Sequence, residues 1–133
     1  IFGLGGVFGI FVDGADTRTP AHYHGVIGGI NLAFMGMFFG FFLPLMGRSP
    51  SLRRAQHLSV WLYASGQALH SLGLFLAGGY GTPRKTAGEA QVIEAIGAQI
   101  ALYGMGIGAV IAVVGGVIFI WIAGRALILR SVP

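Results

Sequence analysis

The sequence predicts an all-α, polytopic transmembrane helix bundle with three full spans preceded by a partial N-terminal one. Three observations predict it. Hydrophobic residues make up 55% of the 133 residues and charged residues 9%. With a mean hydropathy of +0.80, that leaves too little polar surface to cover a water-soluble globule. Apolar runs of about 20 residues, the length that crosses about 30 Å of hydrocarbon, are separated by clusters of proline, glycine and basic residues. The charges sit mainly in these separators. Despite a net charge of +4, the pattern is therefore one of membrane topology and not of nucleic-acid binding.

The first run, residues 1–12, is apolar but too short to cross alone, and it has no starting methionine, basic n-region or cleavage site. It reads as the end of a truncated helix, so the chain is expected to be a piece of a longer polypeptide or the downstream half of a split one. Thr19 is the expected N-cap of the next helix and Pro20 its first residue, where the missing N–H would go unused. This helix is expected to run to residue 46 and stop at Pro44, Gly47 and Pro50, followed by a short loop with Arg48, Arg53 and Arg54. The second full span, residues 57–79, carries Ser59, Ser65, Gln67, His70 and Ser71. Polar side chains at that density belong against protein or cofactor, since lipid offers them no partners. After a loop at 78–85, the third span lies within residues 93–123, long enough to require tilt or a protruding first turn.

Arg48, Arg53, Arg54, Arg125 and Arg130 fall on one side of this topology, whereas Arg18, Arg84 and Lys85 share the other with Asp13, Asp16 and Glu89. The positive-inside bias makes the first side cytoplasmic. It places the run Thr19-Pro20-Ala21-His22-Tyr23-His24 near the outer face, as expected for an integral protein of a bacterial inner membrane. Gly36-x-x-x-Gly40 and Gly104-x-x-x-Gly108 are candidate positions of close helix approach, though 24 glycines produce such spacings readily by chance.

His22 and His24 carry the candidate chemistry. Side chains two apart on a helix lie about 200° and about 3 Å from each other, so the two rings leave opposite sides. They cannot easily share one metal, but each can ligate a different one. The chain has no cysteine, which excludes thiolate zinc sites, thiolate-held iron–sulfur clusters and c-type haem attachment. The remaining metal chemistry is that of imidazole, a good axial ligand for haem iron, and two such ligands on one membrane helix would hold two haems side by side. The bland alternative is a pair of histidines hydrogen-bonded to neighbouring helices.

The order of these parts resembles the last quarter of subunit I of the haem-copper oxidases, the terminal oxidases of respiration. In that family a His-aromatic-His motif opens the tenth transmembrane helix. By position, the resemblance implies that His22 binds the high-spin haem of the oxygen-reducing site, His24 binds the low-spin haem and Tyr23 lies between them. Ala33-Phe34-Met35-Gly36 also looks like that helix. Downstream, Leu72-Gly73-Leu74 and Gly81-Thr82-Pro83-Arg84-Lys85 are similar to the family's Leu-Gly-Leu and Gly-x-Pro-Arg-Arg elements, whose basic pair holds haem propionates.

The resemblance thus implies a C-terminal fragment, residues 1–133, of one membrane-embedded subunit I domain. The complete subunit passes electrons from low-spin to high-spin haem, reduces oxygen to water and couples this to proton transfer, and the fragment alone is expected to be inactive. It implies two haems, a copper whose ligands lie outside this chain, and an electron donor that is cytochrome c or quinol. The remaining helices of subunit I and the other oxidase subunits are the implied partners. Three departures stand out. Lys85 replaces an arginine, an insertion falls near residues 75–80, and Ala15-Asp16 stands where A-type members have the His-Asp of a magnesium site. Asp16 could instead meet the propionates or Arg84.

Two other redox readings fit the same histidines: a nitric oxide reductase of the same superfamily, and an unrelated dihaem b-type anchor with His70 as a further ligand. A purely structural membrane subunit would make the match accidental. For His70 the expected role is a hydrogen bond to a neighbouring helix, and Asn31 is expected to bond between helices. His57 reads as a headgroup-region residue, Glu89 and Glu94 as solvent- or headgroup-exposed, and Tyr103 and Trp121 as packing or interface aromatics.

Overall fold

The structure, a computed structural model, describes residues 1–48, 52–86 and 93–128. Its elements are helical: α1 (Phe2–Gly9), α2 (Arg18–Met37), a π-helical turn (Phe38–Phe42), α3 (Leu43–Leu45), α4 (Arg53–Gly79) and α5 (Ile96–Ile128). The π turn and α3 continue α2, so that Arg18–Leu45 forms one unbroken rod. Among the described residues the only β pairing is an isolated bridge between Asp16 and Pro83.

Two helices, not three, are long and apolar enough to cross a membrane: Arg18–Leu45 and Ile96–Ile128. The second expected span exists as α4, with 27 residues, but Arg53, Arg54, Gln56, Gln67 and its serines lower its apolar character. At about 1.5 Å per residue the 33-residue α5 is about 50 Å long, well beyond a straight crossing.

Helix α2 begins two residues before the expected start. The Thr17 hydroxyl donates to the Leu74 carbonyl oxygen at 2.8 Å, so it ties α2 to α4 and does not cap. Asp16 takes the capping role, its Oδ1 accepting the Arg18 N–H at 2.8 Å. Thr19 therefore sits inside the first turn, buried. Further along, Pro44 has no N–H and its ring crowds the carbonyl four residues back, that of Gly40. The widened π turn lies immediately upstream and accommodates that clash without ending the rod.

Both long rods ending in glycine use the same stop. Gly47 (φ 67°) and Gly81 (φ 79°) adopt left-handed backbone. Their N–H groups bond back to Pro44 and Gly78, and the next residues' to Leu43 and Ala77. This is a Schellman closure, which a residue with a Cβ would strain.

Helix α4 lies between α2 and α5, the inward position its polar residues suggested. Its contacts with α2 are antiparallel, with His70 against His24, Gln67 against Gly28 and Tyr63 bonded to Asn31. On its other side small residues meet α5. A Cβ on Gly73 would fall 2.6 Å from the Ala101 carbonyl oxygen, one on Gly66 2.7 Å from the Ala112 Cα, and one on Gly115 2.8 Å from the Ser59 carbonyl oxygen. The buried residues Ala101, Gly108, Gly115 and Ile122 of α5 recur every seven positions, as do Ser59, Gly66 and Gly73 of α4. The seam is thus a close-packed heptad of small side chains that ends at Ile122.

Of the two Gly-x-x-x-Gly spacings, Gly108 approaches α4 backbone directly and Gly104 meets only the Leu69 side chain at 3.9 Å. Gly36 and Gly40 face open space among the described residues. Large apolar side chains mostly point outward: Ile100 is 66% exposed, Val113 64% and Ile120 69%, while apart from Ile122 the residues α5 buries are alanine and glycine. Burying the small residues and exposing the large ones reverses the pattern of a water-soluble core and fits a surrounding of lipid or further protein.

Candidate functional site

Helix α1 packs on α2 through glycine. A Cβ on Gly25 would lie 2.5 Å from the Gly5 Cα, and one on Gly29 2.5 Å from the Phe2 Cβ. This near backbone contact carries the Gly5 carbonyl to the His22 ring, whose Nδ1 is 2.8 Å from that oxygen. A carbonyl oxygen only accepts, so Nδ1 bears the proton and Nε2 keeps its lone pair. Gly9, one turn on, leaves the space the ring occupies, since a Cβ there would be 2.8 Å from His22 Nδ1. Phe8, stacked on Phe75 at 4.3 Å between centroids, fixes α1 against α4.

His24 leaves the other side of α2 toward α4, where its ring meets that of His70 edge-on with centroids 4.4 Å apart. The His70 Nδ1 lies 3.1 Å from the Met105 carbonyl oxygen on α5, the helix-to-helix bond expected of it. Tyr23, 50% exposed, points between these directions, with its ring centroid 5.8 Å from that of His22. Among the described residues no three His, Asp or Glu side chains gather closely enough to hold a metal ion together. The arrangement therefore offers separate imidazoles, one on each flank of the helix.

The loop carrying Arg84 and Lys85 docks on the same end. The Thr17 N–H donates to the Thr82 carbonyl oxygen at 3.1 Å, and the Arg84 N–H to that of Ala15 at 3.3 Å. Arg84 is half-buried and Lys85 exposed, with left-handed backbone at φ 61°. Among the described residues neither side chain has a hydrogen bond or ion pair, so both cations are available at the histidine end. Asp16 does not meet the Arg84 side chain. It is buried and paired with Arg18, whose Nε donates to Oδ2 at 2.8 Å, and Arg18 also reaches Asp13. Glu94 is exposed, as expected, whereas Glu89 and Arg130 lie outside the described residues.

Burial opposes ionisation of Asp16, but the side-chain and backbone hydrogen bonds from Arg18 and its charge outweigh it and hold the carboxyl below its ordinary value. A folded pKa below the unfolded one contributes stability above the unfolded value, about 3.9, and that contribution disappears as pH falls through the folded value. The difference in melting temperature between the wild type and Asp16→Asn is therefore expected to be constant above about pH 5 and to shrink below about pH 4. A difference that persisted unchanged into strong acid would show that Asp16 does not anchor this loop through its charge.

Sequence reading missed the groups that position the rings: the Gly5 and Met105 carbonyls and the space left by Gly9. The available signal was the spacing Gly5-x-x-x-Gly9 within a run of bulky apolar residues, which marks the side of α1 that something must approach.

The chain is 35% identical over 137 aligned positions to an uncharacterised protein of Rickettsia prowazekii (strain Madrid E), in a match that takes in 96% of this chain and 26% of that protein. It thus spans about a quarter of that relative's length. No family model matches the chain, and no solved structure matches it significantly.

Proposed function

We propose that this chain is the haem-binding, C-terminal part of a respiratory terminal oxidase subunit I, embedded in a bacterial inner membrane with its histidine end outward. The observation that carries the reading is the divergence of the His22 and His24 rings to opposite flanks of α2 beneath a loop that presents Arg84 and Lys85. On this reading α4 is a third crossing, with its polar face covered by α2 and α5, and α1 is the end of a further span. The partner helices, other subunits and electron donor, cytochrome c or quinol, lie outside the chain.

The donor set fits haem. His22 has its Nδ1–H committed to Gly5, which orients the ring and leaves Nε2 to bind iron. His24 would serve the second haem from the opposite flank, with its ring held edge-on by His70. Arg84 and Lys85 would neutralise propionates, Arg84 by a planar two-donor grip and Lys85 by a point charge. When bound, the haems supply one-electron transfer and, with a copper held by residues outside this chain, the reduction of oxygen to water. Tyr23 would fill the space between the two haem sites and exclude water there.

The test is optical. Reduced-minus-oxidised and carbon monoxide difference spectra of the purified protein should show one low-spin and one carbon monoxide-reactive haem. Two six-coordinate haems without carbon monoxide reactivity would favour the dihaem anchor, and no haem at all would end the proposal.

A subtler variant checks the positioning of His22. In Gly9→Ala the new methyl displaces the ring from Gly5, and loss of such an orienting bond weakens metal binding by about 10- to 100-fold. The carbon monoxide-reactive band should fall while the low-spin band stays. Equal loss of both bands would mean that Gly9 acts only on folding.

A further inference from the structure

The end of the bundle opposite the histidines holds a cleft of about 590 Å³ between the π turn of the α2 rod and the start of α4. Its lining is part cationic and part apolar. Arg48, Arg53, Gln56 and His57 supply its polar lining, and Phe39, Pro44, Val60 and Trp61 its apolar lining. Arg53, His57 and Trp61 succeed each other at four-residue intervals and so share one face of α4, with about 12 Å between the first and the last. Cationic and apolar side chains at that spacing match the headgroup and upper acyl chain of an amphiphile.

Two further observations give the sign of the ligand's charge. Among the described residues this end carries Arg48, Arg53, Arg54 and Arg125 and no Asp or Glu, the described acids lying at the histidine end. Among the described residues the Gln56 Nε2 is buried without a hydrogen-bond acceptor. A buried donor without an acceptor is costly, and an oxygen-rich anion seated in the cleft would satisfy it. The volume lies within the range of small-molecule sites. Basic pockets between membrane helices on the cytoplasmic side recognise anionic lipid headgroups, and the positive-inside bias puts this end on that side.

The geometry points to a binding site for an anionic glycerophospholipid, with its phosphate held by Arg53, Gln56 and His57 and an acyl chain laid along Phe39 and Trp61. The inference rests on the chain crossing a bilayer, as proposed above, but not on haem. Native mass spectrometry of the detergent-purified protein offered phosphatidylglycerol, phosphatidylcholine or inorganic phosphate tests it. Phosphatidylglycerol should be retained over phosphatidylcholine, and free phosphate should not be retained. Arg53→Gln should lower phosphatidylglycerol retention about fivefold, the worth of one basic residue near a lipid surface. Gln56→Leu, which removes no charge, should also lower it.

Arg54→Gln, on the same helix but outside the cleft, should leave retention unchanged, with far-UV circular dichroism establishing that each variant is folded. Equal loss in Arg53→Gln and Arg54→Gln would mean diffuse attraction and overturn the site. Retention of both lipids alike would overturn it while leaving the membrane reading intact. A protein soluble without detergent that retains no lipid would overturn both.

Discussion

On the proposed oxidase reading, replacing His24 by alanine is expected to abolish the low-spin haem spectrum and leave the carbon monoxide-reactive haem in place, while His22→Ala should do the reverse. The separation follows from the backbone. The His22 ring is drawn toward α1 by the Gly5 carbonyl, and the His24 ring faces His70 on α4, so neither has the other's neighbours. An axial ligand donates the bond that keeps the iron in place, so each loss should be near complete and not graded. Haem content per protein should fall from two to one in each variant, and the double variant should bind none. If both spectra survived either substitution, the histidines would be ordinary interhelical hydrogen-bonding residues. If a single substitution removed both haems while the helices stayed folded, the picture of α2 as a partition between two sites would fail.

How much of this was legible in the sequence depends on how local each determinant is. The end of the α2 rod was readable because Gly47 acts on its own backbone, and so was the stop at Gly81. The opposite directions of His22 and His24 follow from helix periodicity alone. The start of α2 was misplaced because Thr17 spends its hydroxyl on Leu74, 57 residues away, a contact that no local rule contains. The π turn needs Pro44 and a rod that continues past it, and tertiary packing decides the second condition.

The polar residues of α4 foretold an inward position, and the same residues keep it below the apolar threshold of a crossing helix. The seam between α4 and α5 left no trace in hydrophobic contrast, because α5 is apolar all round. Its pattern is one of size, glycine and alanine at seven-residue intervals, and hydropathy is blind to it. Asn31 and His70 were readable in kind, as polar side chains that had to bond across helices, but their partners, Tyr63 and Met105, were not.

The same seam carries the largest expected effect on stability. In Gly108→Leu the new Cβ would lie 2.7 Å from the Gly66 carbonyl oxygen and 3.0 Å from the His70 Cα, so α4 and α5 must separate. Backbone cannot step aside as a side chain tip can, which places the cost at or above the upper end of overpacking, about 3 kcal/mol. Gly66→Leu, pressing on Ala112 from the facing helix, should cost as much. Gly104→Ala is the control, since its Cβ would meet only Leu69 at ordinary contact distance.

That control should be neutral, or should stabilise by up to about 1 kcal/mol through better helix propensity. Thermal unfolding in detergent, followed by circular dichroism, would rank the three variants. Because Gly108 abuts the backbone of His70, and His70 is edge-on to His24, displacement here should reach the site as well. In molecules of Gly108→Leu that remain folded, the low-spin band of the proposed haem pair should shift or broaden while the carbon monoxide-reactive band, tied to α1 through His22, stays put. A Gly108→Leu protein that melts with the wild type would show that the two helices are not in backbone contact, and the support assigned to His70 would go with that contact.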